Sequence, residues 1–328
     1  MNTRILGRTG IAVSEMSIGG LFLSSIGGDF EMSRRALLRA LDMGVNYVDT
    51  APGYFNSEEV LGKILQEVKT RVIISTKLGG RPQPFDPKNK AQLVQSVETS
   101  LKLLHREVID ILMIHEPDRP AQYDWWDAGE GYIGPVREAM EDLKKRGVIR
   151  FTGLGGTTAY ELGRIVDTGI FDVVLTAFNY SLLWREAECA VLPGARRMGM
   201  GIVVGAPFQQ GGLARRWDDD VDREDGWMSP PRQAQFRRLY QLVDETGIPV
   251  GEMALRFLLS NPDVSCVLTG VRSAEEVAQN VAAAVKGPLA GDVLRRIDEI
   301  AAMVPFRPYA EPFILPFGRP YDGPGPIV

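Results

Sequence analysis

Cysteine and histidine are nearly missing from this chain, with two of each in 328 residues. Cys189 and Cys266 are too few for a disulfide framework or a structural zinc site, and with His105 and His115 beside them no metal centre is expected. The cysteines read as core residues and His105 as structural. Long apolar runs are missing too. The longest uncharged stretch, 198–214, is broken by Gly199, Gly201, Gly205, Gly211 and Gly212 and carries Gln209-Gln210, which makes a poor membrane span. Met1-Asn2-Thr3-Arg4 leads into no apolar signal core, so the expectation is a cytoplasmic protein without membrane association. Positive charge is not in excess: 37 basic against 42 acidic residues leave a net charge of −5, giving no overall pull towards nucleic acid. A glycine fingerprint is absent as well. Gly19-Gly20-Leu21-Phe22-Leu23 follows the first apolar run without G-x-G-x-x-G spacing, which argues against a doubly wound dinucleotide-binding sheet.

What is present is a regular alternation. Short β-branched or apolar runs at 16–20, 45–49, 72–77, 109–114, 151–154, 173–177, 201–204 and 264–268 predict strands. Between and after them, helical periodicity covers 33–43, 57–68, 90–105, 135–146, 159–168, 186–198, 232–246 with 250–259, and 274–285. The strands are mostly continuous apolar runs, as expected of a parallel sheet covered on both faces. Eight such units predict one (β/α)₈ barrel, an α/β fold, spanning 1–328 as a single domain. Three segments fall outside the repeat. Residues 1–14, with Gly7-Arg8-Thr9-Gly10 between apolar pairs, read as an N-terminal β-hairpin. Residues 116–134 form a long insertion after the fourth strand, and Trp125 and Trp126 within it are candidate walls of a substrate pocket. The tail 305–328, rich in proline and aromatics, is extended and either walls the pocket or serves as an arm of a homo-oligomer. The acidic run Asp218-Asp219-Asp220 with Asp222, Glu224 and Asp225 reads as a solvated loop.

Ionisable residues terminate three consecutive predicted strands: Asp49, Lys77 and His115. Tyr54 follows Asp49 in the turn Thr50-Ala51-Pro52-Gly53-Tyr54. Barrel enzymes place their chemistry at C-terminal strand ends, and neighbouring strands lie roughly 4.8 Å apart, so the four side chains can converge. A phenol with an ordinary pKa of about 10 exchanges protons poorly near neutrality, and a nearby ammonium is expected to lower that value by about 1–3 units. Asp49 would hold the charge of Lys77, Lys77 would tune Tyr54, and His115 would orient a substrate oxygen. Such a set suits protonation of an oxygen that gains charge as hydride reaches carbon, or the reverse.

These residues resemble the aldo-keto reductases over nearly the whole chain. The resemblance is carried by Leu6-Gly7-Arg8-Thr9-Gly10-Ile11-Ala12-Val13-Ser14, Gly44-Val45-Asn46-Tyr47-Val48-Asp49-Thr50-Ala51, Ser57-Glu58-Glu59-Val60-Leu61-Gly62, Thr76-Lys77, Asp110-Ile111-Leu112-Met113-Ile114-His115, and Gly270-Val271-Arg272 with Asn280. It implies a catalytic tetrad of Asp49, Tyr54, Lys77 and His115, with Tyr54 as acid-base, and a nicotinamide cofactor held without a Rossmann domain. It further implies cofactor contacts at Gly270, Val271, Arg272, Glu276, Gln279, Asn280, Pro207 and Phe208. Arg272 favours NADP(H), since guanidinium binds phosphate bidentately. Glu276, where many relatives carry Gln or Arg, favours NAD(H). The balance leans to NADP(H). Gly155-Gly156, Ala177 and Gly205 replace the side chains that usually surround the nicotinamide, a pattern similar to the branch with L-galactose dehydrogenase and aldose 1-dehydrogenases. The implied function is hydride transfer between nicotinamide and a small polar aldehyde, ketone or sugar. The alternatives are a sugar dehydrogenase forming a lactone with NAD, and a cofactor-sensing binding subunit with little turnover.

Overall fold

The computed structural model describes residues 1–81, 83–128, 131–223, 226–308, 311–312 and 314–319. An antiparallel hairpin of β1 (Thr3–Ile5) and β2 (Ala12–Ser14) precedes eight parallel strands. These are β3 (Met16–Gly19), β4 (Tyr47–Asp49), β5 (Ile73–Leu78), β6 (Ile109–His115), β7 (Ile149–Gly156), β8 (Val173–Ala177), β9 (Gly201–Gly205) and β10 (Cys266–Gly270). They pair in sequence order, and β10 closes onto β3. The expected (β/α)₈ barrel is the observed fold.

Alternation along each strand separates two cores. Inward positions Tyr47, Ile73, Ile111, Met113, Val173, Leu175, Val203, Cys266 and Leu268 fill the barrel interior. Leu6 and Val13 of the hairpin cap its N-terminal end. The hairpin seats closely because Gly7 lacks a side chain: a Cβ there would lie 2.2 Å from the Gly201 nitrogen. Outward positions such as Val48, Ile74, Leu112 and Val204 meet the surrounding helices. Those helices are α1 (Phe30–Asp42), α2 (Ser57–Leu65), α3 (Lys90–Leu104), α4 (Pro135–Lys145), α5 (Ala159–Val166), α6 (Glu186–Ala190), α7 (Leu192–Arg197), α8 (Asp218–Asp222), α9 (Pro230–Thr246), α10 (Val250–Leu259), α11 (Ala274–Ala284) and α12 (Gly291–Ala302). Asp29, Asn89, Ser229 and Ser273 cap the starts of α1, α3, α9 and α11, each accepting a backbone N–H. His105 closes α3 in a left-handed conformation, φ 51°, a structural role as expected.

Several expectations are corrected. The helix expected over 186–198 is two pieces, α6 and α7, because Pro193 at the start of α7 has no N–H to continue the ladder. Cys189 is exposed on α6, while Cys266 is buried as anticipated. The acidic run is not a plain solvated loop. It folds into the single turn α8, with Val221 buried beneath and the Asp220 carboxylate accepting the Gly318 N–H at 3.0 Å. Glu224 and Asp225 lie outside the described residues.

The described part of the tail packs against its own chain. Phe317 sits among Trp217, Trp227 and Phe236, with ring centroids 5.3–5.5 Å away. The Glu311 carboxylate accepts from Arg232 Nε at 2.7 Å and from Trp184 Nε1 at 2.6 Å. Arg232 is itself only 1% exposed and stacks over the Trp184 ring at 4.6 Å. Further back, the Arg307 N–H bonds Glu186 at 3.1 Å. The tail therefore straps the segment after β9 and α9 to the segment after β8. Tyr309, Phe313 and Tyr321 lie outside the described residues.

Candidate active site

Asp49, Lys77 and His115 stand at the C-terminal ends of β4, β5 and β6, all on inward-facing positions. Lys77 Nζ donates to Asp49 Oδ2 at 2.6 Å and to the Thr50 carbonyl at 2.9 Å, and both charged side chains are almost completely buried. Two residues that motif spacing did not single out complete the set. Ser75 Oγ donates to Asp49 Oδ1 at 2.6 Å, and Tyr47 hydroxyl shares a 2.8 Å hydrogen bond with Ser75. Period-two alternation was the available signal, since Tyr47 and Ser75 precede Asp49 and Lys77 by two positions. Tyr54 arrives on the turn between β4 and α2. That turn is held by Thr50 donating to Ser57 Oγ at 2.8 Å, and by Ser57 donating to the Gly20 carbonyl at 2.7 Å. Lys77 Nζ lies 4.6 Å from the Tyr54 ring centroid, and the Tyr54 and His115 rings meet edge to face at 5.7 Å. The four expected side chains are brought together.

Their electrostatics differ in one respect from the expectation. Burial pushes the Tyr54 phenol above its ordinary value, and the Lys77 ammonium offsets this only in part. Burial also draws the Lys77 ammonium down, but Asp49 and the Tyr54 phenol more than compensate, leaving it above its ordinary value. His115 is lowered to about 3 by burial and then by the Lys77 charge, so its imidazole is neutral at any working pH. The site thus holds a protonated phenol, a fixed ammonium–carboxylate pair and a neutral imidazole.

The surrounding wall is aromatic. Trp125 is fully buried, and its indole N–H donates to the His115 carbonyl at 3.2 Å, so it supports His115 from behind rather than facing the mouth. Trp126 is half-buried and bonds the Pro117 carbonyl at 3.0 Å. Tyr123, which was not anticipated, is half-buried and packs on Trp125 and Phe85. Backbone strain collects at the same end of the barrel. Glu116, Phe178 and Ala206, each just past a strand, adopt φ of 50°, 67° and 53°. Left-handed non-glycine residues of this kind concentrate at ligand-binding sites.

Residues 16–302 match the model of the aldo/keto reductase family. The chain belongs to the aldo/keto reductase family. It is 31% identical to pyridoxal 4-dehydrogenase of Microbacterium luteolum, over 85% of this chain and 91% of that one. It is 28% identical to L-galactose dehydrogenase of Arabidopsis thaliana, over 92% and 93%. An aldo-keto reductase from Bacillus halodurans in its holo form superposes with a TM-score of 0.76 at 28% identity, covering 92% of this chain and 96% of that one. As an aldo/keto reductase, this protein is an NAD(P)-dependent oxidoreductase acting between CH–OH and C=O.

The barrel mouth of this aldo/keto reductase suits a dinucleotide. Thr157 Oγ1, just past β7, is buried without a partner among the described residues. Gly155 and Gly205 let side chains approach closely at the ends of β7 and β9; a Cβ on Gly155 would sit 3.4 Å from Lys77 Cε, and one on Gly205 3.3 Å from Ala177 Cβ. Past β9, Pro207 is buried, Phe208 is half-buried against the core, and Gln209 ties this segment to the Phe178 carbonyl at 2.9 Å. At the end of β10, Gly270 admits the Phe22 ring, which a Cβ would meet at 2.6 Å. The Arg272 guanidinium lies 4.0 Å above that ring and makes no ion pair among the described residues. Glu276 Oε2 accepts the Arg272 backbone N–H at 2.8 Å while Ser273 Oγ accepts the Glu276 N–H at 3.2 Å, a reciprocal cap at the start of α11. Val271 is buried, Gln279 exposed and Asn280 half-buried.

Proposed function

We propose that this enzyme reduces small polar aldehydes, ketones or sugars, with Tyr54 as general acid and NADP(H) as the favoured cofactor. The carrying observation is the convergence on Tyr54: Lys77, bonded to Asp49 at 2.6 Å, stands over its ring, and His115 meets that ring edge-on. When bound, the nicotinamide supplies hydride to the carbonyl carbon, or accepts it in the reverse direction. Tyr54 gives its proton to the carbonyl oxygen as negative charge develops there. The neutral His115 imidazole orients that oxygen, and the Lys77 ammonium, held by Asp49, stabilises the phenolate left behind. Thr157, Arg272 and the start of α11 are the groups proposed to hold the dinucleotide, with Pro207, Phe208, Gly270, Val271, Gln279 and Asn280 lining its path. Trp126 and Tyr123 would face substrate.

Cofactor choice rests on charge at the start of α11. The Arg272 guanidinium is free to meet a 2′-phosphate, whereas one oxygen of Glu276 is engaged by the backbone. Fluorescence titration with NADPH and NADH separately is expected to show NADPH binding at least about tenfold tighter, a difference of about 1.4 kcal/mol. Arg272→Ala should remove that preference, because the bidentate phosphate contact is lost. A preference for NADH in the wild type would instead support the second reading, NAD-linked oxidation of an aldose to its lactone, which the Glu276 carboxylate favours. Tight cofactor binding with negligible turnover across a panel of carbonyls would point to a binding subunit.

The pH dependence follows from the same groups. Tyr54 must be protonated to act as acid, and its raised pKa keeps it so well past neutrality. His115, lowered to about 3, does not titrate in the assay range. Carbonyl reduction at saturating substrate is therefore expected to stay flat from about pH 6 to about pH 9 and to fall only as the phenol ionises. A limb centred between about pH 6 and 7 would assign the titration to a charged His115 and contradict the neutral-imidazole role.

A further inference from the structure

Glu116 follows His115 directly and is the first residue past β6. Its N–H donates to the Gly155 carbonyl at 2.7 Å, so the β6–β7 ladder holds the residue in place. It is nonetheless in the left-handed region, φ 50°, a conformation that strains a non-glycine residue. A surface ion pair would need no such placement. The carboxylate is largely covered, its side chain 15% exposed. One oxygen, Oε2, accepts from Arg119 Nη1 at 2.8 Å, and the other has no hydrogen-bond partner among the described residues. It stands at the barrel mouth by following His115 at the C-terminal end of β6, and its charge bears on both the Tyr54 phenol and the Lys77 ammonium. Burial holds its carboxyl above the ordinary range, with Arg119 compensating only in part, as befits an acceptor short of donors.

We infer that Glu116 is a specificity-determining residue whose free carboxylate oxygen accepts hydrogen bonds from hydroxyl groups next to the carbonyl, selecting polyhydroxylated substrates over plain aldehydes. The inference rests on the proposed reductase function and names its substrate class. A carboxylate is an acceptor only, and a partly buried one gains most from hydroxyl donors. A substrate without them would leave it desolvated and unpaired, a penalty that discriminates strongly between otherwise similar molecules. Arg119 fixes the direction of the carboxylate and leaves the second oxygen for the ligand.

The test compares glyceraldehyde with propanal, which share a three-carbon chain and differ by two hydroxyl groups. Wild-type kcat/KM is expected to favour glyceraldehyde by at least about tenfold, and Glu116→Gln to lower that ratio at least about tenfold by removing the charge-assisted acceptor. Tryptophan quenching by NADPH checks that the variant is folded. A wild type with no preference for glyceraldehyde overturns the proposal without any variant, as does an unchanged ratio in a variant that still binds NADPH. If the wild type turns over neither aldehyde, nor any other carbonyl, the reductase function itself fails and the Glu116 role fails with it.

Discussion

Tyr54→Phe is expected to lower kcat for carbonyl reduction by about 10²–10⁴-fold while leaving the Kd for NADPH within a few-fold of wild type. The substitution removes one hydroxyl from a residue whose ring otherwise keeps its place under Lys77 Nζ and against His115. What disappears is the proton for the developing alkoxide, worth about 3–5 kcal/mol of barrier on that range. Single-turnover reduction, followed at the nicotinamide absorbance, separates this loss from any change in binding. Wild-type turnover in the variant would remove Tyr54 from the acid role and return the site to a binding function. Lys77→Met is a poorer probe of the same idea. Asp49 is bonded to Lys77 at 2.6 Å and nearly excluded from water, so deleting the ammonium leaves a buried carboxylate with Ser75 as its one side-chain partner among the described residues. That costs about 3–5 kcal/mol of stability before any catalytic effect is read.

The barrel was legible in eight alternating apolar and helical runs. The residues at its mouth were legible because Asp49, Lys77 and His115 each end an apolar run and, with Tyr54, make the pattern that resembles the aldo-keto reductases. Tyr54 was legible from its turn of Pro and Gly. Its pKa was not, because the sign depends on how deeply the phenol sits relative to the ammonium, and depth is a property of packing. Gly155-Gly156 ran past the predicted strand end because glycine carries no side-chain preference to extend an apolar run. Helix α12 carries buried Val293, Ile297, Ile300 and Ala301 at helical spacing but opens on Gly291-Asp292, which reads as a turn. Arg232 and Glu311 are the clearest case. In sequence each looks like an ordinary surface charge, and only the fold brings positions 79 residues apart to 2.7 Å.

That pair gives the second large effect. Glu311→Ala is expected to lower the unfolding free energy by about 3 kcal/mol, at the low end of what truncating one partner of a buried ion pair costs. Arg232 is 1% exposed, is covered by Trp184 and the tail, and donates from one nitrogen to the Gln235 side-chain amide oxygen. Without the Glu311 carboxylate, its charge can be rehydrated only if the tail lifts, and lifting withdraws Phe317 from Trp217, Trp227 and Phe236. The two losses are alternatives rather than additive, which sets the low end. Urea unfolding measures the first, and proteolysis of the 305–319 segment reports the second. The double variant Arg232→Met/Glu311→Leu should recover part of the loss, since replacing the pair by apolar residues of similar volume is near neutral but leaves the Trp184 indole N–H without its acceptor. A change below about 1 kcal/mol in Glu311→Ala, with the tail still protected, would mean that Phe317 and the backbone contacts of Arg307 and Gly318 hold the strap without the ion pair. Because the strap fixes the segments after β8 and β9 that flank the proposed cofactor path, a lifted tail should also weaken NADPH binding. That couples a contact far from the chemistry to the residues that bound it.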